Sequence, residues 1–175
     1  MTSHSLVLRP FLASDADALH GYLSRPEAVR YEPYDPLDAR TCAQVAAERA
    51  DDDRFVAVCL PDGTLVGHLY RAPDGPAAWR TWEIGFVFHP DHWGNGYATR
   101  AVRLMIDDLF AARGAHRVVA RCDPRNAPSW RLLERVGMRR EGHLLRAATF
   151  RDDEQGRPVW HDVFEYALLE GEPRG

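Results

Sequence analysis

Apolar and polar positions along the chain fall into short stretches that alternate with period two and longer ones that repeat at helical spacing. Residues 5–9 (Ser5-Leu6-Val7-Leu8-Arg9) read as a first strand, ended by Pro10. Ser14 or Asp15 is placed to cap a helix running to about Leu23. Residues 26–38 hold Pro26, Pro33 and Pro36 with Tyr31 and Tyr34, the composition of an irregular loop with room for one helical turn. A second helix is predicted over 41–50. The stretches 55–60 and 64–70 flank Pro61-Asp62-Gly63, a hairpin signal. A Gly/Pro-rich turn over 72–78 leads to a strand at 81–88, rich in aromatic and β-branched residues. The helix predicted over 98–112 places Ala98, Ala101, Val102, Met105, Ile106 and Leu109 on one side, and Gly114 ends it. A strand at 117–122 and a short helix over 129–136, closed by Gly137, follow. Two last strands, near 139–147 and 163–169, are joined by a polar loop. Strand, helix, strand in succession requires a right-handed crossover and a parallel pair. The expected class is therefore mixed α/β (α+β), with antiparallel meanders around one parallel unit.

A chain of 175 residues suits one domain over residues 1–175. Its net charge of −4 gives no electrostatic basis for a nucleic-acid or membrane-surface partner. All 22 basic residues are arginine, which removes lysine nucleophiles and Schiff-base chemistry. Cys42, Cys59 and Cys122 are odd in number and widely spaced, as expected of small apolar residues in a reducing compartment. The N-terminal residues show neither the charged nor the apolar region of a secretion signal, and no run is long enough to span a membrane. A cytoplasmic location is expected. His89-x-x-His92 lacks a third clustered ligand, so no metal is expected.

The segment Trp93-Gly94-Asn95-Gly96-Tyr97-Ala98-Thr99 joins a strand to a helix. Helix starts carry unused N–H groups and a partial positive charge, and two glycines let the backbone approach an anion closely. On spacing alone, a phosphate cradle and a plain tight connection are both open readings. Around it stand Glu83-Ile84-Gly85-Phe86, His89-Pro90, Asn126-x-x-Ser129, residues 132–142 (LLERVGMRREG) and residues 162–169 (DVFEYALL). In this order the set resembles the GNAT superfamily of acyl-CoA-dependent N-acetyltransferases, in particular its Rim-type branch of ribosomal-protein N-terminal acetyltransferases.

The resemblance implies a GNAT fold: a mixed central sheet of about seven strands with a splayed parallel pair, flanked by about four helices. It implies acetyl-CoA as cosubstrate, its pyrophosphate on Trp93, Gly94, Asn95, Gly96, Tyr97, Ala98 and Thr99. Pantetheine would lie in the splay against the backbone of Phe86, Val87 and Phe88, with Asn126 on the same arm. Ser129 would sit near the sulfur as donor to the leaving thiolate, although Asn126 and Ser129 are also good helix-capping residues. Arg100 departs from a common Glu, and Met138 from a common Phe. Leu133 stands where many members carry a general-acid tyrosine, which excludes that mechanism at this position. Glu83, a lone carboxylate in an apolar strand, is the candidate general base, and partial burial would raise its pKa into a useful range. A solvent-facing or arginine-paired carboxylate is the other reading of the same residue.

Acceptor recognition is placed in the loops over 26–38 and 147–161, with Tyr31, Glu32, Tyr34 and Trp160 as candidate contacts. Aromatic rings beside carboxylates suit a cationic amine. The expected function is acetyl transfer from acetyl-CoA to a primary amine, foremost the α-amino group of a peptide or protein. The alternatives are a small-molecule amine or antibiotic acetyltransferase, and a non-catalytic acyl-CoA-binding module. The family often dimerises, which makes a homodimer a further expectation.

Overall fold

The computed structural model describes residues 5–173. Seven strands form one sheet: β1 (Val7–Pro10), β2 (Phe55–Cys59), β3 (Leu65–Pro73), β4 (Thr81–Phe88), β5 (Arg117–Cys122), β6 (Arg139–Asp152) and β7 (Pro158–Leu169). Their spatial order is β1-β2-β3-β4-β5-β7-β6. Five helices accompany them: α1 (Ala16–Leu23), the single turn α2 (Pro26–Val29), α3 (Ala39–Ala50), α4 (Tyr97–Ala111) and α5 (Ala127–Arg135). The class is mixed α/β, with β4 and β5 as its one parallel pair.

Local chemistry moves several predicted boundaries. β1 keeps Pro10, which pairs with Val56, because an edge strand tolerates a residue without an N–H. Asp15 does not cap α1 through its side chain. Its carboxylate instead accepts from Leu12 N and both terminal nitrogens of Arg9, at 2.7–2.8 Å. α3 begins two residues earlier than expected because Asp38 accepts from Thr41 N at 2.7 Å and fixes the first turn. The largest correction lies at the C-terminal end, where the predicted polar loop is mostly strand. β6 and β7 pair as far out as Asp152 and Pro158. Asp153 makes the tight turn by accepting from the backbone of Gln155 and Arg157, with Gly156 at φ 72°. This hairpin buries little and so carries no apolar alternation for a sequence to display.

The sheet is covered on both faces. α4 and α5 seal one face through Val102, Met105, Ile106, Leu109 and Leu132, packed on Val58, Leu69, Ile84 and Val118. On the other face, α1 and α3 bring Leu19, Tyr22, Leu23, Cys42 and Ala46 against Ala57, Cys59 and Val87. Each large side chain withdrawn this fully stabilises the fold by roughly 1.5–3 kcal/mol. His68 is buried in the second layer with Nδ1 2.7 Å from the Tyr22 hydroxyl, and burial holds its pKa well below the usual imidazole value.

β4 and β5 stay in register from Thr81↔Arg117 to Ile84↔Ala120. Beyond that rung β4 continues beside β3 alone, through Gly85, Phe86, Val87 and Phe88. A wedge thus opens in the middle of the sheet, and α4 starts at its mouth.

Candidate active site

At the mouth of the wedge, Gly94 and Gly96 adopt φ of 79° and 75°, a left-handed conformation that costs glycine little. The loop is held from within. Trp93 Nε1 donates to Phe88 O at 2.9 Å, and Asn95 Nδ2 donates to the carbonyls of His92 and Trp93 at 3.1 and 3.2 Å. The side chains of Trp93 and Asn95 therefore shape the loop, and within it the groups left for an anion are backbone amides. The first helical bond of α4 runs from Arg100 N to Gly96 O. The amides of Ala98 and Thr99 and of the two glycines are not consumed by the helical ladder, and they form the donor set an oxyanion needs. Nothing lies within 4 Å of where a Cβ on either glycine would sit, so the cradle is open.

Four arginines, scattered in the sequence, complete this end. Arg100 and Arg103 of α4, with Arg131 and Arg135 of α5, line the same cleft. Arg135 Nη1 donates to Thr99 Oγ1 at 3.0 Å, and Arg103 Nη2 donates to Arg135 O at 3.0 Å. The Thr99 hydroxyl is thus buried against Arg135, and the cluster supplies the positive charge. Their i, i+4 spacing on α5 was the available signal, although only the packing of α5 on α4 gives it meaning. Replacing Arg131 and Arg135 together with alanine is expected to raise the KM for acetyl-CoA about 10-fold or more. It should also flatten the salt dependence of kcat/KM and leave kcat nearly unchanged. Initial rates at two ionic strengths check this.

Along the wedge, the β4 edge from Gly85 to Phe88 faces the gap that β5 vacates. Phe88 O already accepts the Trp93 indole, so of the three residues expected on this edge Phe86 and Val87 are the less committed. Opposite, Asn126 Oδ1 caps α5 by accepting from Ser129 N at 3.3 Å, with Pro128 in the first turn. Ser129 lies against Cys122. Burial pushes the Cys122 thiol up to about 11, against the opposing effect of its hydrogen bond with Ser129, so it is no thiolate nucleophile at neutral pH. Leu133 is 1% exposed, an apolar wall where a phenol would otherwise reach in.

Three ties cross the end of the cleft at Tyr31 and Tyr34. The Tyr31 hydroxyl donates to Arg125 O at 3.2 Å, Arg151 Nη2 donates to Tyr34 O at 3.2 Å, and Arg151 pairs with Asp35 at 3.0 Å. Tyr31, Glu32 and Tyr34 all line the cleft, as does Phe150 of the hairpin. Trp160 does not. It pairs with Thr149 on the other face of β7 from His161, whose ring stacks on Phe150. Trp160 is 54% exposed and lies outside this lining, whereas Phe150 is part of it.

Glu83 is not the isolated carboxylate that the strand pattern suggests. β5 places Arg121 on the same face, and Arg121 Nη1 donates to Glu83 Oε1 at 2.9 Å while also binding Asp74 and Glu165. This pair joins the two strands just before they part. Glu32 differs: burial pushes its carboxyl up to about 7, opposed by Arg49 and by a hydrogen bond from Tyr34. Among the described residues no group of three metal-ligating side chains occurs, and His89 accepts from Asp91 N instead. No described helix is long and apolar enough to cross a membrane.

The glycine loop before α4, the wedge and the segment at Tyr31, Glu32 and Tyr34 line one continuous cleft of about 2090 Å³. Known proteins resemble the chain over most of its length. Residues 5–139 match the family model described as acetyltransferase (GNAT) domain. The chain is 30% identical to the uncharacterised N-acetyltransferase YnaD of Bacillus subtilis (strain 168), over 98% of each chain. It superposes on an acetyltransferase (GNAT family) from Bacillus anthracis with a TM-score of 0.86 and 30% identity, covering 98% of this chain and 99% of that one. Two more distant structures share the fold. One is the Vibrio cholerae spermidine N-acetyltransferase in complex with CoA and spermine (TM-score 0.77, 20% identity, 95% and 96% covered). The other is the Vibrio fischeri ribosomal-protein-S5-alanine acetyltransferase (TM-score 0.78, 19% identity, 98% and 96% covered). With the model match spanning most of the chain and the sheet wedge in place, this protein belongs to the GNAT family of acyl-CoA-dependent N-acetyltransferases.

Proposed function

We propose that the protein moves an acetyl group from acetyl-CoA to the α-amino group of a peptide or protein, by direct attack of the amine. The observation that carries this reading is the continuity of the cleft, from a backbone phosphate cradle through an unpaired strand edge to an aromatic acceptor end. Phosphates on the amides before α4 and on the arginines would set the thioester beside β4. A β4 amide at the wedge would then donate to the carbonyl oxygen as it gains charge. The Ser129 hydroxyl, in the lining of the same cleft, would stabilise the departing thiolate. An α-amino group titrates at roughly 8, so a useful fraction is neutral near physiological pH.

The relatives that act on spermidine support a second reading, a small polyamine acceptor. Arg30 and Arg49 line the acceptor end beside Glu32, and these cations oppose a polycation more than a single α-ammonium. A thiol-release screen of N-terminal peptides against polyamines and amine-bearing antibiotics separates the two. Release above hydrolysis with peptides supports the first reading, and release confined to polyamines supports the second. Release with no acceptor, despite CoA binding, leaves a non-catalytic acyl-CoA-binding module.

Because Glu83 is held by Arg121, Glu83→Gln is expected to lower kcat less than about 10-fold and to leave CoA affinity unchanged. That is well short of the 10²–10⁴-fold that removal of a general base costs. A loss of 100-fold or more with retained CoA binding would return Glu83 to the base role.

A further inference from the structure

We propose that Arg49 binds a carboxylate of the acceptor, so that the preferred acceptor is a peptide with an acidic residue shortly after its reactive N-terminus. This rests on the α-amino acetyltransferase reading and names the class of acceptor within it. Arg49 belongs to the last turn of α3, is 9% exposed, and lines the cleft at the same end as Tyr31 and Tyr34. Among the described residues it enters no salt bridge, and its Nη1 is buried without a hydrogen-bond partner. Its guanidinium lies 4.3 Å from the centre of the Phe55 ring and 5.4 Å from that of Phe11. Those ring faces offset part of the cost of enclosing the charge, but they supply no countercharge. A guanidinium cannot shed its proton to escape that cost, so an enclosed one without a carboxylate is short of an anion.

The other charges at this end do not supply one. Glu27 is paired with Arg25 at 2.8 Å, Glu83 with Arg121 at 2.9 Å and Asp123 with Arg125 at 2.6 Å. Arg30 adds a second cation to the lining, its guanidinium 5.5 Å from the centre of the Tyr31 ring. It too enters no salt bridge among the described residues. Glu32 is the remaining carboxylate of the lining, and it pairs with neither arginine. Burial brings its carboxyl up to about 7 even against the charge of Arg49, so at neutral pH it is ionised only part of the time. Two cations against at most one carboxylate leave this end of the cleft positive, in a protein whose net charge is −4. The planar guanidinium also offers paired N–H donors that match a carboxylate, which an ammonium does not.

The register of the sheet sets where that carboxylate must lie on the acceptor. Phe55 pairs with Tyr70, and Tyr70 with Gly85, the first residue of β4 beyond its last rung with β5. From the ring beneath Arg49 to the β4 edge that would receive the thioester is thus two strand spacings, about 10 Å. Tyr70, between the two points, lines the cleft as well, so the path runs within it. The α-carboxylate of a single amino acid lies only roughly 3 Å from its own nitrogen, too close to serve. An extended peptide advances about 3.3–3.6 Å per residue, so an acidic side chain at its second or third residue covers the distance.

The test is thiol release from acetyl-CoA by tetrapeptides that differ only at the second and third residues, Asp against Asn. The wild type should favour the Asp peptides in kcat/KM by about 10-fold or more, the worth of a charge-assisted pair. Arg49→Met, which keeps bulk over Phe55, should bring the ratio of the two peptides close to one. Arg49→Lys, which keeps the charge and loses the fork, should retain part of the preference. A ratio taken within one protein cancels any general loss of folding or rate, so a purely structural role for Arg49 would not move it. If Arg49→Met fails to fold, the wild-type ratio and its fall in Arg49→Lys decide in its place. A wild type that treats Asp and Asn peptides alike overturns the proposal. So does an Arg49→Met enzyme that keeps the preference, and in both cases peptide acetylation stands. Release confined to polyamines, or absent with every amine, instead overturns the peptide reading and this proposal with it.

Discussion

Replacing Gly96 with valine is expected to raise the KM for acetyl-CoA about 100-fold, a loss near 2.7 kcal/mol of binding. Gly96 caps α4 at φ 75° and ψ 2°, where a β-branched residue is a genuine outlier. No neighbouring atom would be struck by a Cβ there, so the protein should remain folded, at a cost of roughly 1–2 kcal/mol for the left-handed backbone. The large effect falls on the ligand. Relief of the strain would rotate the amides that face the phosphate, and the valine methyls would occupy the space through which it approaches. Gly96→Asn, which tolerates this backbone better, should recover part of the affinity. Calorimetric titration with CoA, beside a melting curve, separates binding from folding. A Gly96→Val protein that binds CoA like the wild type would remove the cradle from the account.

Gly67→Ala is expected to have the largest effect on stability, for the opposite reason. Gly67 pairs with Phe88, and a Cβ on it would lie 2.6 Å from the Val87 carbonyl and 2.6 Å from the Phe88 ring. One of these neighbours is backbone of a central strand and cannot swing aside. Overpacking of this kind costs about 1–3 kcal/mol or more, which for a chain of this size lowers Tm by roughly 5–10 °C. The displaced strand is also the one whose Phe88 carbonyl holds the Trp93 indole, so CoA affinity should weaken too. Gly85→Ala is the contrast. Its Cβ would sit 3.7 Å from Tyr70, an ordinary contact, so Tm should barely move while the groove at the wedge narrows. Melting curves of the two variants decide whether close approach or general strand weakening explains Gly67.

The elements that bury a full face were legible before any coordinates, and those held by polar geometry were not. α4 announced itself through Val102, Met105, Ile106 and Leu109, all of which face the core. β4 and β5 were bounded within a residue because both are sandwiched between helices. The β6–β7 hairpin was foreshortened because its outer half is exposed and held by Asp153, whose turn contacts carry no periodicity. The glycine loop before α4 was legible as a strand-to-helix connection because its glycines, helix start and flanking strand lie together in the chain. The acceptor end was legible only in composition. Which side chains meet there depends on contacts between residues far apart in sequence, such as Arg121 with Glu83 and Phe150 with His161. Arg49 was read as part of a helix, and nothing local ties it to Phe55 or Glu32.

The arginines at the phosphate end bear on chemical self-compatibility. An enzyme that presents an activated thioester holds an acylating agent against its own surface for much of each cycle. An ammonium side chain used to grip the phosphates would be a latent nucleophile, a fraction of it neutral at any moment. Guanidinium groups stay charged across the physiological range and offer no free lone pair to the thioester. On the proposed reading, Arg100, Arg103, Arg131 and Arg135, which line the cleft, would hold the acetyl donor turnover after turnover without being consumed by it.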